Sequence, residues 1–227
     1  PGHRPTKTYY SFYAYNRLYR LGGCVGTKVF ADEHVSAMAA TDGENKAIML
    51  NNDEWMGEMN LSDYMKNAMR MSAIMELPVV YILTHDSIGV GEDGPTHQPI
   101  EHLIALRTIP NMKVFRPCDG NETSCAYLTA FTKKGPTSII LSRQTLPNFE
   151  GTGKNALKGG YILKEASKKV PDLILIASGS EVAPTMKAQA ELEAKGIATR
   201  VVSMPCIELF EAQNEKYKNS VLPTKVR

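Results

Sequence analysis

Val79-Val80-Tyr81-Ile82-Leu83-Thr84-His85-Asp86-Ser87-Ile88-Gly89-Val90-Gly91-Glu92-Asp93-Gly94-Pro95-Thr96-His97-Gln98-Pro99 passes from an unbroken apolar run into a loop holding two histidines, three acids and three glycines. An apolar run without alternation reads as a strand buried on both faces, as in a parallel sheet covered by helices. Open parallel sheets bind ligands where the chain leaves the carboxyl ends of such strands. His85 occupies that exit, so one stretch sets both an expected architecture and an expected place for chemistry.

Periodicity on either side extends this reading. Upstream, Leu61, Met65, Ala68, Met69 and Ala73 recur at helical steps, and Pro78 closes the helix before the strand. Downstream, Ile100, Leu103 and Ile104 predict a second helix, followed by a short strand over 112–115. Asp119 stands three residues before Glu122, a capping-box-like start for a helix running to about Lys133, and 137–141 reads as the next strand. The order β-α-β-α-β implies a largely parallel sheet flanked by helices, with right-handed crossovers. Periodicity then fades, and Pro147, Gly151, Gly153, Gly159 and Gly160 mark a linker. Beyond it come a strand over 173–177, a helix over 181–195 stopped by Gly196, and a strand over 199–202. Two strands and one helix cannot cover both faces of a parallel sheet, so this part reads as the opening of a second, truncated α/β domain. The expected division is an atypical segment over 1–60, an α/β domain over 61–145 with a start near residue 30 left open, a linker over 146–160 and an incomplete domain over 161–227.

At 227 residues, with 43% hydrophobic and 22% charged residues, the chain is an ordinary globular protein of one large or two small domains. A formal net charge of +2 gives no strong pull toward nucleic acid or membrane. Cys24, Cys118, Cys125 and Cys206 lie far apart, which argues against a disulfide framework and a zinc cage and favours a reducing, cytoplasmic setting. No segment approaches the roughly 18 consecutive apolar residues of a membrane span, and the front end lacks a secretory pattern. Residues 1–31 combine Arg4, Lys7, Arg17, Arg20 and Lys28 with Tyr9, Tyr10, Tyr13, Tyr15 and Tyr19. Cations beside aromatics can serve nucleic acid, but so unspecific a patch is more often a peripheral extension, and that reading is preferred.

Gly89, Gly91 and Gly94 formally match a dinucleotide fingerprint, but Pro95 and further loop follow where a helix must open, so that reading fails. The glycines instead let the backbone turn tightly near a ligand. His85 and Arg143 both stand just past predicted parallel strands, at one edge of one sheet, although 58 positions separate them. Arg offers a planar fork of donors and His a ring nitrogen, a set suited to a phosphate. The alternative is an Arg paired with a local acid and a His capping a strand; spacing alone does not choose. Asp93 and His97 share one proline- and glycine-fixed turn. A histidine with an ordinary pKa near about 6.5 can move protons and a carboxylate can receive a hydroxyl, though such a pair alone is more often a satisfied turn.

These residues carry a resemblance. The loop 84–99, Ser142-Arg143-Gln144 with Leu146-Pro147, Ala177-Ser178-Gly179-Ser180-Glu181-Val182 and Val201-Val202-Ser203-Met204-Pro205 resemble transketolases over residues 61–227. The resemblance implies a thiamine-diphosphate enzyme of the pentose phosphate pathway that moves a two-carbon ketol unit from a ketose phosphate to an aldose phosphate. It implies that His85 and Arg143 grip the sugar phosphate, that Asp93 contacts the substrate hydroxyl next to the carbonyl, and that His97 contacts the two-carbon unit. Glu33, 31 positions before Tyr64, then matches the carboxylate that activates the aminopyrimidine, with Tyr64 beside the cofactor. The family's arginine before that glutamate is absent here, and Glu58 and Leu61 stand near the places of two expected phenylalanines. The family binds the diphosphate, with Mg2+ or Ca2+, through Gly-Asp-Gly and Asn-Asn in a separate domain. Thr41-Asp42-Gly43 and Asn51-Asn52 echo those motifs only by chance. The resemblance therefore implies a dimer or other homo-oligomer, or a hetero-complex with a chain bearing the diphosphate domain, or a fragment. Two rival readings stay open: a non-catalytic, degenerate module, and another thiamine enzyme such as deoxyxylulose-phosphate synthase or the beta chain of pyruvate dehydrogenase.

Overall fold

In a computed structural model, residues 67–89, 94 and 98–226 are described in full, and 28–31, 35–41, 46–52, 63–66 and 90 as backbone alone. The strand expected from the apolar run is β4, Val79–Thr84. Its residues alternate between two cores: Val79, Tyr81 and Leu83 pack with Met69, Leu106, Met112, Val114 and Ile140, whereas Val80 and Ile82 pack with Phe115, Ala126 and Ile139. Both faces are thus dry, which is why the run needs no polar alternation.

The first sheet has six strands: β1 (Lys28–Ala31), β2 (Val35–Thr41), β3 (Lys46–Asn52), β4, β5 (Lys113–Phe115) and β6 (Thr137–Leu141), in the order β1-β2-β3-β4-β6-β5. β3, β4, β6 and β5 pair in parallel, while β1-β2 and β2-β3 are antiparallel. The largely parallel α/β sheet is therefore as expected, with an antiparallel pair, β1 and β2, added at one edge. No element was anticipated before residue 61, yet β3 pairs Ile48 with Val79 and Asn51 with Ile82. The four apolar residues Ala47-Ile48-Met49-Leu50 were the overlooked signal.

Helix α1 (Asp63–Ile74) buries Met69 and Ala73, ends through Glu76 at φ 52, and is followed by Pro78. α2 (His102–Arg107) corrects the expected stripe in part: Leu103 packs against the core as expected, but Ile100 and Ile104 are 74% and 66% exposed, and Leu106 is the fully buried residue. α3 (Gly120–Thr132) starts as expected, with the Asp119 carboxylate accepting from the Glu122 N–H at 2.9 Å. The reciprocal half of a capping box is absent, because Glu122 accepts from the Cys118 N–H instead.

The second sheet holds β7 (Tyr161–Lys164), β8 (Leu173–Ala177) and β9 (Thr199–Ser203) in the order β7-β9-β8, with β7-β9 antiparallel and β8-β9 parallel. α4 (Val182–Ala194), α5 (Ile207–Glu211) and α6 (Glu215–Val221) accompany it. β7, α5 and α6 add to the two strands and one helix anticipated. The segment expected as a linker is packed structure: Ala156, in a 3-10 turn, is fully buried in the same cluster as Ile139 and Phe115. Gly159 explains the tightness. Its φ is +84, and a Cβ there would lie 2.2 Å from the Cys206 carbonyl oxygen. Among the described residues no helix is long and apolar enough to cross a membrane.

Candidate active site

β4 and β6 are parallel neighbours, and Thr84 at the end of one pairs with Leu141 at the end of the other. His85 and Arg143 follow directly, so both leave the same carboxyl edge. Packing brings the two exits together. Ser142 Oγ donates to Asp86 Oδ2 at 2.9 Å, and a Cβ added to Gly89 would meet the Gln144 amide nitrogen at 3.0 Å. Arg143 is exposed. His85 has φ 64, a left-handed conformation rare for a residue with a Cβ, and its Nδ1 lies 2.9 Å from Thr84 Oγ1. Such backbone strain persists only where surrounding contacts over-determine it.

Those contacts centre on Asp86, which sequence reasoning passed over. It is 2% exposed, and its Oδ2 accepts from Arg116 Nε at 2.8 Å as well as from Ser142. Arg116, at the carboxyl end of β5, also donates to the Ser178 carbonyl at 3.0 Å, to Ser180 Oγ at 3.2 Å and to the Glu181 carboxylate. Burial works to lower the pKa of this guanidinium, but the Glu181 hydrogen bond and the Asp86 charge outweigh it and hold the pKa above its ordinary value. Burial likewise opposes ionisation of Glu181, and the bond to Arg116 overcomes it, keeping that carboxyl below its usual range. The cluster is a fixed, charged frame beneath the exit loop. Two acceptors above it, Asp86 Oδ1 and Gln144 Oε1, are buried without a hydrogen-bond partner.

Of the other expected site residues, Glu33, Asp93 and His97 lie outside the described residues, and Tyr64 falls on α1, where the backbone alone is described. His102 sits at the start of α2 with Nδ1 3.9 Å from the Glu101 carboxylate. Among the described residues no group of three or more His, Cys, Asp or Glu could hold a metal ion. The described edge carries His85 and Arg143 just past the paired ends of β4 and β6.

Comparison with known proteins gives this arrangement a class. Residues 56–148 match the model of the transketolase pyrimidine-binding domain, and residues 159–227 that of the transketolase-like C-terminal domain. The chain is thus built from two domains of a thiamine-enzyme type. It belongs to the transketolase family. It is 54% identical over 169 residues to a plasmid-encoded transketolase of Cupriavidus necator, covering 73% of this chain and 25% of that protein. The solved transketolase of Pichia stipitis in complex with sedoheptulose 7-phosphate is 46% identical at a TM-score of 0.69, covering 75% of this chain and 25% of that one. A split-gene transketolase solved as an inactive β4 tetramer is 33% identical at a TM-score of 0.53, covering 63% of this chain and 45% of that one. The chain spans about a quarter of the length of the curated relatives it matches.

Proposed function

We propose that this chain supplies the sugar-phosphate-recognising part of a transketolase active site, in which a two-carbon ketol unit passes from a ketose phosphate to an aldose phosphate. The observation that carries the reading is the emergence of His85 and Arg143 from the paired ends of β4 and β6. An exposed guanidinium and an imidazole held by a constrained turn make a receptor for a phosphate at the far end of a sugar. Asp93 and His97, on the same loop, would receive substrate hydroxyls and hold or move a proton nearer the reacting carbons. Thiamine diphosphate, when bound, supplies the carbon that carries the two-carbon unit. Glu33 and Tyr64 would face its aminopyrimidine ring, and its diphosphate, with Mg2+ or Ca2+, would rest on a separate domain. A segment bearing that domain, in the same polypeptide or in a partner, would complete the site. The split-gene relative, recorded as an inactive tetramer, supports a chain that is inert until completed.

The test uses the chain reconstituted with a diphosphate-domain partner. Arg143→Ala should lower kcat/KM for phosphorylated donors by about tenfold or more, because each charge-assisted hydrogen bond contributes about 1.5–3 kcal/mol. Hydroxypyruvate, which lacks the phosphate, should be little affected. Equal losses for both donors would refute phosphate recognition by Arg143. Calorimetry on the isolated chain should show no micromolar binding of thiamine diphosphate with magnesium, and such binding would refute the need for a partner.

A further inference from the structure

We propose that Arg116 is a positioning residue that locks the His85 turn, and that its anchor lies in the C-terminal domain, which thereby helps to shape the substrate-recognition edge. Arg116 belongs to both units at once. Its N–H donates to the Pro205 carbonyl at 2.7 Å, its carbonyl accepts from the Gly179 N–H at 3.2 Å, and its guanidinium holds Ser178 and Glu181. On its other side the same guanidinium grips Asp86 through Nε at 2.8 Å and Nη2 at 2.7 Å.

Asp86 directly follows His85, whose backbone is left-handed at φ 64. A residue with a Cβ leaves that region unless its neighbours are held. The forked bond to Asp86, reinforced by Ser142, supplies the hold. Glycine at 179 is part of the same device. Its φ is +56, and a Cβ there would lie 2.8 Å from the Arg116 guanidinium carbon, so only glycine lets the loop before α4 close over the fork. Lysine at 116 would keep the charge but could not span Asp86, the Ser178 carbonyl and Glu181 together.

The role of the turn in binding phosphate rests on the function proposed above; the locking of the turn does not. The experiment therefore reads the two separately in the whole chain, by imidazole 15N and 13C NMR with His85 assigned through His85→Asn. Without phosphate, Arg116→Lys should change the ring shifts and tautomer ratio of His85 while leaving those of His102 unchanged. Glu181→Gln, a milder change at a half-exposed end of the fork, should move His85 in the same direction by less. Titration with inorganic phosphate at constant ionic strength should then show affinity at His85 weakened by about fivefold or more in Arg116→Lys, the range of coupling between residues in one network. His85 signals identical to wild type in both variants would overturn the proposal, as would His85 and His102 shifting alike. Should phosphate leave wild-type His85 untouched while Arg116→Lys still alters its ring, the positioning role stands and the phosphate reading falls.

Discussion

Replacing Glu122 by alanine should cost more stability than any other single polar substitution on α3, and the structure gives the size. The side chain is fully buried. Its carboxylate accepts from the Cys118 N–H at 2.7 Å, the Tyr161 hydroxyl at 2.8 Å and the Ser203 hydroxyl at 2.6 Å. Those donors belong to the turn before α3, to β7 and to β9. Each donor stranded in a dry interior costs about 1–3 kcal/mol, so three give about 3–9 kcal/mol, before any cavity is counted. A loss of about 4 kcal/mol or more is a large share of the roughly 5–15 kcal/mol that holds a domain together.

Two milder variants make the prediction readable even where alanine unfolds the chain. Tyr161→Phe removes one donor and leaves the carboxylate two others, for about 1–2 kcal/mol. Glu122→Gln is also modest, about 1–2 kcal/mol, because its carbonyl can take the Cys118 N–H while its NH2 faces two hydroxyls able to turn and accept. Urea denaturation followed by far-UV circular dichroism measures all three from shifts of midpoint at constant slope. The expected order of loss is Glu122→Ala well above Glu122→Gln and Tyr161→Phe. An alanine variant no less stable than Tyr161→Phe would show that the carboxylate is not the hub of the junction.

Gly159→Ala should destabilise by about 2 kcal/mol or more, since backbone atoms of Cys206 and Phe210 block a Cβ, whereas Gly196→Ala at a similar φ, with open space around it, should cost only about 1 kcal/mol; thermal melts compare them. Acid should weaken the fold. Hydrogen bonds from Ser167 and the Thr199 N–H hold Glu193 below its ordinary 4.5, and Lys168 with the Ala198 N–H holds Asp172 below 3.8. A depressed folded pKa contributes stability that is present above the unfolded value and lost as pH falls through the folded one, so the urea midpoint should drop below about pH 4.5, and Glu193→Gln should flatten that limb. Cys118, Cys125 and Cys206 are buried, and burial pushes all three thiols up, so none should react with a disulfide reagent at about pH 8 until urea unfolds the chain.

What could be read in advance was whatever the chain states locally. The β4 run needs neighbours on both faces, and no local alternative competes with a buried strand. The Asp119 cap is a contact across three residues and was legible for the same reason. The exit of His85 and Arg143 at one edge followed from strand order alone. Long-range polar bonds left no such trace. Arg116 reaches Asp86 across 30 positions and Glu181 across 65, and Glu122 reaches Ser203 across 81. β7 was hidden by its approach, because Gly159-Gly160 reads as a break. In the fold those glycines instead let the chain pass close to Met204, Cys206 and Phe210.

The two domains meet through one continuous interior rather than across a hinge. A single apolar cluster takes Ile82, Phe115 and Ile139 from the first sheet, Ala126 from α3, and Tyr161, Cys206 and Leu209 from the second unit. Such a cluster buries side chains of both domains only while the two stay together. Its polar fastenings then act at two different levels. Glu122 ties the middle of the interface, where its partners are β7 and β9, and its loss should be felt as stability. Arg116 ties the edge, where its partner Asp86 adjoins His85, and its loss should be felt in the geometry of the recognition turn. The two fastenings are neighbours: Glu122 takes the N–H of Cys118, two residues after Arg116, and the hydroxyl of Ser203, two residues before Pro205, whose carbonyl accepts the Arg116 N–H at 2.7 Å. Because the two share adjoining segments, their effects separate only through mild variants: Glu122→Gln should move the urea midpoint more than the His85 ring signals, and Arg116→Lys the reverse.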